Sequence, residues 1–372
     1  MEKNWIGARA FFLMSLIWVL ATLGCRLNDN KIRGHIGNSP ETPPATPGIE
    51  KPFSCADFPE ETSYRAFGKG IGADPFLICN PRQLDSLGNS ASSLDWDKSY
   101  KLLQDIDLSE FDSNDFHLIG TSATPFSGEF DGNGKALSGL SFTASGEDDI
   151  GLFRAVNGAR IHDLKLDGFY FNGGSGSNVG TLIGKAYGVG ASLYNIEIAN
   201  SEVRGSGATL GGLVGYHLGL ANQIFLQVTV HSTGDNVGGF AGRLYGTCGS
   251  IYPSTVSHIS GNVTIEGGNR VGGLLGWAVG ANCTGSIQHS EVGGAVTGID
   301  NVGGMVGFFD YMKSSFNLTS TATVTGVNHV GGALGYMKST RADQLAAEGD
   351  VSASGDFVGG LVGTLYYVPG GV

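Results

Sequence analysis

Little of this sequence is charged. Asp, Glu, Lys and Arg make up 15% of its 372 residues, and basic side chains are the scarcer kind, 22 against 34 acidic. The resulting net charge of −12 repels a phosphate backbone, so nucleic acid is not an expected partner. The common catalytic motifs are missing: the sequence has no HExxH, no GxSxG, no P-loop and no GxGxxG. No cofactor is implied. The eight histidines (35, 117, 162, 217, 231, 258, 289 and 329) show no metal-ligand spacing, and most read as exposed turn or strand residues. The five cysteines form no CxxC pair, so no zinc site is suggested.

Long apolar runs are also lacking, with one exception. AFFLMSLIWVLATLG (10–24) follows Lys3 and Arg9 and fits the apolar region of a signal peptide covering residues 1–24. TLGC (22–25) resembles a bacterial lipobox, which implies lipidation of Cys25 and a membrane contact through that lipid. Cleavage after Ala21, behind the small-residue pattern VLA, is the alternative. Residues 25–52 are polar, contain Pro and Thr and have no apolar periodicity, as expected of a disordered tether. Either processing route takes the chain out of the cytosol, to a lipid-anchored place at the outer membrane and cell surface or to secretion.

What the sequence has in abundance is glycine, 62 residues of it, and the glycines recur in a pattern. The copies are IGLFRA (150), VGTLIGK (179), LGGLVGY (210), VGGFAGR (237), VGGLLGW (271), VGGMVGF (302), VGGALGY (330) and VGGLVGT (358). Successive starts lie 29, 31, 27, 34, 31, 28 and 28 residues apart. Between them run alternating Val/Thr/Ile stretches such as QVTVHSTGDN (227–236) and NVTIEGGNR (262–270), followed by turn-forming Gly, Asp and Asn. About 30 residues with three short strands is too little for a propeller blade and suits one rung of a parallel β-solenoid. The parallel crossover rule makes that solenoid right-handed. Gly is expected to supply both unusual φ and the lack of a side chain at stacked turns. Val237, Val271, Val302, Val330 and Val358 are expected to form one inward ladder, and Phe240, Leu274, Met305, Ala333 and Leu361 another.

The copies of V-G-G-L-V-G resemble GLUG repeats, found in bacterial cell-surface and secreted proteins, some adhesin-like and some attached to peptidases. PFLICNPRQLDSLG (75–88), YKLLQDIDLS (100–109) and PFSGEFDGNGKALSGLSF (125–142) are similar to the segments that precede such repeats. The resemblance spans about residues 74–367. It implies an all-β, right-handed parallel β-helix with an N-terminal cap and first rungs over 53–149 and repeats over 150–372. It carries no site.

Candidate functional residues come from the repeat itself. Six residues after each motif start stands a column of Lys185, Tyr216, Arg243, Trp277, Phe308, Tyr336 and Thr364. Tyr216, Trp277, Phe308 and Tyr336 are candidates for binding sugar rings or a protein; the competing reading is a half-buried packing ladder. Asp148–Asp149 raises a polysaccharide-cleaving enzyme as the rival function, since such enzymes use clustered carboxylates. Asp235–Asn236, Asp300–Asn301 and Asp356 occupy the same turn, which assigns these acids to the corner of the repeat. A stalk for a further domain is a third reading. Cys248 and Cys283 fall at nearly the same place in consecutive rungs, 11 and 12 residues after Val237 and Val271, and are expected to pair. Cys55 and Cys79 then pair by elimination. The eighth motif starts only 14 residues before Val372, so its rung is expected to be short of strands. The expectation that follows is a fragment of a longer protein, or an end-to-end contact at this rung.

Overall fold

A computed structural model describes residues 54–57, 63–188, 190–246, 254–338 and 341–367. The signal peptide, the tether and Cys25 fall outside the described residues, and so does Cys248. Phe53–Val372 forms one unit.

The chain winds as a parallel β-solenoid. All eight motif starts stack in one unbroken parallel register, Ile150 on Val179, Leu210, Val237, Val271, Val302, Val330 and Val358. The rung beginning at Val237 shows the plan. Val237–Gly238 forms a short strand, the chain bends, Ala241–Tyr245 forms a second, and Ser254–Glu266 forms a long third. The long strand pairs with Leu220–Ser232 below it and Leu275–Thr297 above it. Strand alternation sends every second side chain inward, so the inner side becomes a continuous apolar column.

Both expected inward ladders exist, with one break. Val237, Val271, Val302 and Val330 are fully buried, as are Phe240, Leu274, Met305 and Ala333. In the last rung Val358 is 49% and Leu361 40% exposed, because no strand among the described residues covers them.

The glycines do less than expected with φ and more with space. None of the motif glycines has a positive φ. The left-handed corner falls to the residue just before the motif: Asp149, Asn178, Asn236, Arg270, Asn301, His329 and Phe357, with φ between 51° and 59°. A second left-handed column, Asn133, Asp163, Asn195, Gln223, His258, His289, Asn317 and Gln344, bends each long strand, with φ between 46° and 56°. Asn and Asp tolerate this region and can also hydrogen-bond to the neighbouring rung. Asn178 Nδ2 donates to Asp149 Oδ1 at 2.7 Å, and Asn236 Nδ2 to the Ala208 carbonyl at 2.6 Å. The motif glycines instead permit backbone contact. A Cβ on Gly239 would sit 2.3 Å from the carbonyl oxygen of Gly273, and one on Gly273 would sit 2.2 Å from that of Gly304.

The two ends differ. At the N-terminal end a helix, α1 (Pro81–Gly88), starts at Asn80, whose side chain accepts from the Gln83 amide. It buries Leu84 and Leu87, and Trp96 Nε1 donates to the Leu87 carbonyl at 2.8 Å. Cys55 and Cys79 form the expected disulfide, with Cα atoms 5.4 Å apart. Behind this cap Tyr64, Phe76, Tyr100, Phe126, Phe153 and Phe130 pack ring to ring at 5.0–6.0 Å between successive centroids. The C-terminal end has no such cover among the described residues: Phe357, Leu365 and Tyr367 are 61%, 69% and 69% exposed.

Candidate functional site

The expected outer column is in register along its whole length. Lys185 pairs with Tyr216, Tyr216 with Arg243, Arg243 with Trp277, Trp277 with Phe308, Phe308 with Tyr336 and Tyr336 with Thr364. All seven are half-buried, because each outward ring is flanked by its neighbours above and below. The column is therefore a packing ladder with one open side, between the two readings that the sequence allowed.

Its chemistry alternates rings and cations. Phe308 stacks on Tyr336 at 4.9 Å and 8°, while Trp277 meets Phe308 edge-on at 6.3 Å. The Arg243 guanidinium lies 4.1 Å from the Trp277 ring centroid, and 5.8 Å and 5.6 Å from those of Tyr216 and Tyr245. Arg270 lies 4.9 Å from the Trp277 ring and reaches Asp235 at 3.3 Å. Lys185 sits 5.6 Å from the Tyr187 ring. Burial pushes the Tyr216 hydroxyl above its ordinary pKa, and the positive charge of Arg243 opposes that rise. Trp277 Nε1 and Arg243 Nε are buried within the stack and have no hydrogen-bond partner among the described residues. Below this ladder, at the inward position next to Tyr216, His217 is fully buried against the edge of Phe240 at 5.3 Å. Its burial holds its pKa down to about 4, against a small opposing contact with the Gly219 backbone.

A second cluster was not foreseen. Stacking of the long strands brings together Lys101, Asp131, His162 and Tyr194 in one column, with Glu129 and Arg160 in a neighbouring one. His162 is 7% exposed and stacks flat on Tyr194 at 4.5 Å and 4°. Its Nδ1 lies 2.7 Å from Asp163 and its Nε2 3.2 Å from Glu129. Lys101 reaches Asp131 at 2.6 Å, and Arg160 reaches Glu129 at 3.0 Å. Asn195 donates to Asp163 and, with His162, holds that carboxyl below its ordinary pKa. Asp131, His162 and Asp163 offer atoms within 4.8 Å of one another, the spacing of a metal triad. Every one of these groups already has a charged or hydrogen-bonding neighbour, and a cation would have to displace Lys101 or His162 contacts. Both ring nitrogens of His162 face carboxylates, which leaves neither to activate a nucleophile. Of this cluster Asp163 and its partner Asn195 line the adjoining surface groove of about 250 Å³.

The acids singled out in the sequence are occupied by the corner. Ser122 and Asn178 both donate to the Asp149 carboxylate, and the Ser177 amide donates to Asp148 Oδ1 at 2.7 Å. For Cys283 only the backbone is described; it pairs with Met312 in the next rung.

No family model matches the sequence. The chain is 32% identical over 135 residues to a "Putative Gly-rich membrane protein" of Evansella cellulosilytica, a match spanning 35% of this chain and 15% of that protein. It is 30% identical over 158 residues to the "Halomucin" of Haloquadratum walsbyi, spanning 40% of this chain and 2% of that one. The chain thus covers only a small part of the length of these relatives. A solved structure described as a "putative immunoglobulin A1 protease" from Bacteroides ovatus superposes with a TM-score of 0.50 at 18% identity, over 85% of this chain and 88% of the other. At that identity the likeness is one of fold, and the fold is the parallel β-solenoid.

Proposed function

We propose that this protein is a non-enzymatic β-solenoid displayed at a bacterial cell surface, anchored through a lipid on Cys25, that binds glycans along its outer aromatic ladder. The observation that carries this reading is the in-register column Tyr216–Arg243–Trp277–Phe308–Tyr336. Side chains repeated about every 4.8 Å along a rigid axis present a continuous strip of ring edges and cations at a spacing comparable with the advance of an extended sugar chain. The GLUG-like motif and the names of the two relatives support the surface location. The mutual neutralisation within the Glu129–Asp131–Asp163 cluster supports a structural role for those acids and so the non-enzymatic reading.

A glycan array probed with the purified protein tests this. Binding to a defined set of saccharides that is lost in Trp277→Ala is the expected result. An array without hits, or hits indifferent to Trp277, removes the reading. The polysaccharide-cleaving alternative rests on carboxylates alone, the Asp148–Asp149 pair singled out in the sequence and the Glu129–Asp131–Asp163 cluster, and release of reducing ends or unsaturated products from a polysaccharide panel would establish it.

A further inference from the structure

We infer that the ladder selects carboxylate-bearing saccharides, of the hexuronate type, and that Arg243 is the selecting residue. This rests on the reading of the ladder as a glycan site and names the class of sugar it takes.

Three cations cluster along this part of the face: Lys185, Arg243 and Arg270. Only Arg270 has a carboxylate, Asp235, at 3.3 Å. Asp235 is further engaged by the Asn269 side chain at 2.8 Å and has little left to offer Arg243. The acids farther along are taken elsewhere: Asp310 lies 3.7 Å from Lys338, and Asp300 lies 2.7 Å from His329. Arg243 has no ion pair and no hydrogen-bonded partner among the described residues; it is held by aromatic rings alone. An unpaired guanidinium, half-buried on a chain whose net charge is −12, is a local inversion of sign.

Ring stacking fixes the plane of a guanidinium and leaves its edge donors pointing along that plane. Such a fork matches a planar carboxylate through two parallel hydrogen bonds. Half-burial strengthens the contact relative to one made in open water. Neighbouring rings at Trp277 and Tyr216 lie one rung to either side, so a sugar lying along the open side of the strip against either ring places a substituent over Arg243. A neutral sugar gains the apolar contact and leaves the guanidinium without its partner. A uronate gains both.

The test compares oligogalacturonate with its carboxyl-reduced, neutral counterpart by calorimetric titration of the full chain, with polyglutamate as a non-saccharide anion. Oligogalacturonate is expected to bind about ten- to a hundredfold more tightly than the reduced form, the range of a charge-assisted hydrogen-bonded pair. The preference shrinks as salt is raised. Arg243→Gln lowers the affinity for oligogalacturonate to that for the reduced form and so abolishes the preference. Arg243→Lys, which keeps the charge without the fork, retains part of it and serves where Arg243→Gln does not fold. Trp277→Ala weakens both ligands. Equal affinity for the acidic and neutral forms overturns the inference and leaves the glycan reading standing. Binding of neither form overturns the glycan reading itself. Polyglutamate bound as tightly as oligogalacturonate overturns the inference in favour of an acidic protein partner.

Discussion

A Cβ on Gly273 would stand 2.2 Å from the carbonyl oxygen of Gly304, one rung above it. That distance is closer than any carbon can approach, so the motif glycine is a condition of rung stacking. The equivalent glycine of the last rung, Gly360, has nothing within 4 Å of the same point. Gly273→Ala is therefore expected to destabilise by roughly 1–3 kcal/mol or more, the cost of overpacking, while Gly360→Ala leaves stability unchanged. Urea unfolding of the two variants measures this. Equal effects would show that the motif glycines are kept for another reason.

The ladder and the inner column are expected to respond differently to truncation. Phe240 is fully buried, and Phe240→Ala should cost about 3–5 kcal/mol. Trp277 is half-buried, and Trp277→Ala should cost about half as much or less. If Trp277→Ala matches Phe240→Ala in unfolding experiments, the column is core and has no open side for a ligand.

His217 makes stability depend on acid. Its pKa is about 4 in the folded chain and 6.5 as the ordinary value. The unfolded state thus takes up a proton between these values and the folded state does not. The contribution is intact above about pH 6.5, declines as pH falls, and is fully lost near pH 4, a total of about 3 kcal/mol. His217→Leu should flatten that part of the stability curve. A curve for His217→Leu that parallels wild type between pH 6.5 and 4 contradicts the burial of the imidazole.

The cysteines divide into one pair seen and one pair proposed. Cys55–Cys79 ties the first described segment to the strand that leads into α1. Removing it should loosen the cap, and Cys79→Ser is expected to lower the melting temperature by several degrees, in line with about 2–5 kcal/mol for a native disulfide. Cys248–Cys283 remains the proposed second bridge. Non-reducing peptide mapping should recover both pairs, and a free thiol at Cys283 would remove the second.

The open rung has a defined consequence for self-association. Phe357, Val358, Leu361 and Leu365 are exposed at one end, while α1 closes the other. Contiguous exposed apolar residues favour self-association, so a dimer of this chain through these four residues is expected. Sedimentation velocity should show a concentration-dependent dimer that Leu365→Lys dissolves. A monomer at all concentrations shows that the exposed end needs no partner.

The architecture was legible because the repeat is written in the sequence at every rung. The motif starts, the two inward ladders and the column from Lys185 to Thr364 all follow from counting residues, since a solenoid turns sequence period into spatial register. What was missed lies between the motifs. Lys101, Asp131, His162 and Tyr194 stand about one rung apart, but in long strands whose spacing carries no glycine signature. Aligning those strands on the left-handed residue that follows, Asn133, Asp163 or Asn195, would have exposed the column. His217 was read with the exposed histidines, although its place next to the outward Tyr216 turns it inward by strand alternation. The motif glycines are expected to supply φ that Asn, Asp, Arg, His and Phe supply instead, at the residue just before the motif.

The most direct test of the account uses Trp277 as its own reporter. Trp96 is 3% exposed and hydrogen-bonded in the cap, whereas Trp277 is half-buried in the outer column. Titration of the purified protein with oligogalacturonate is predicted to change tryptophan emission in a saturable way, and the change should vanish in Trp277→Phe. An emission change that survives Trp277→Phe, or saturable binding with no change in the wild type, would contradict the assignment of the ladder as the binding face.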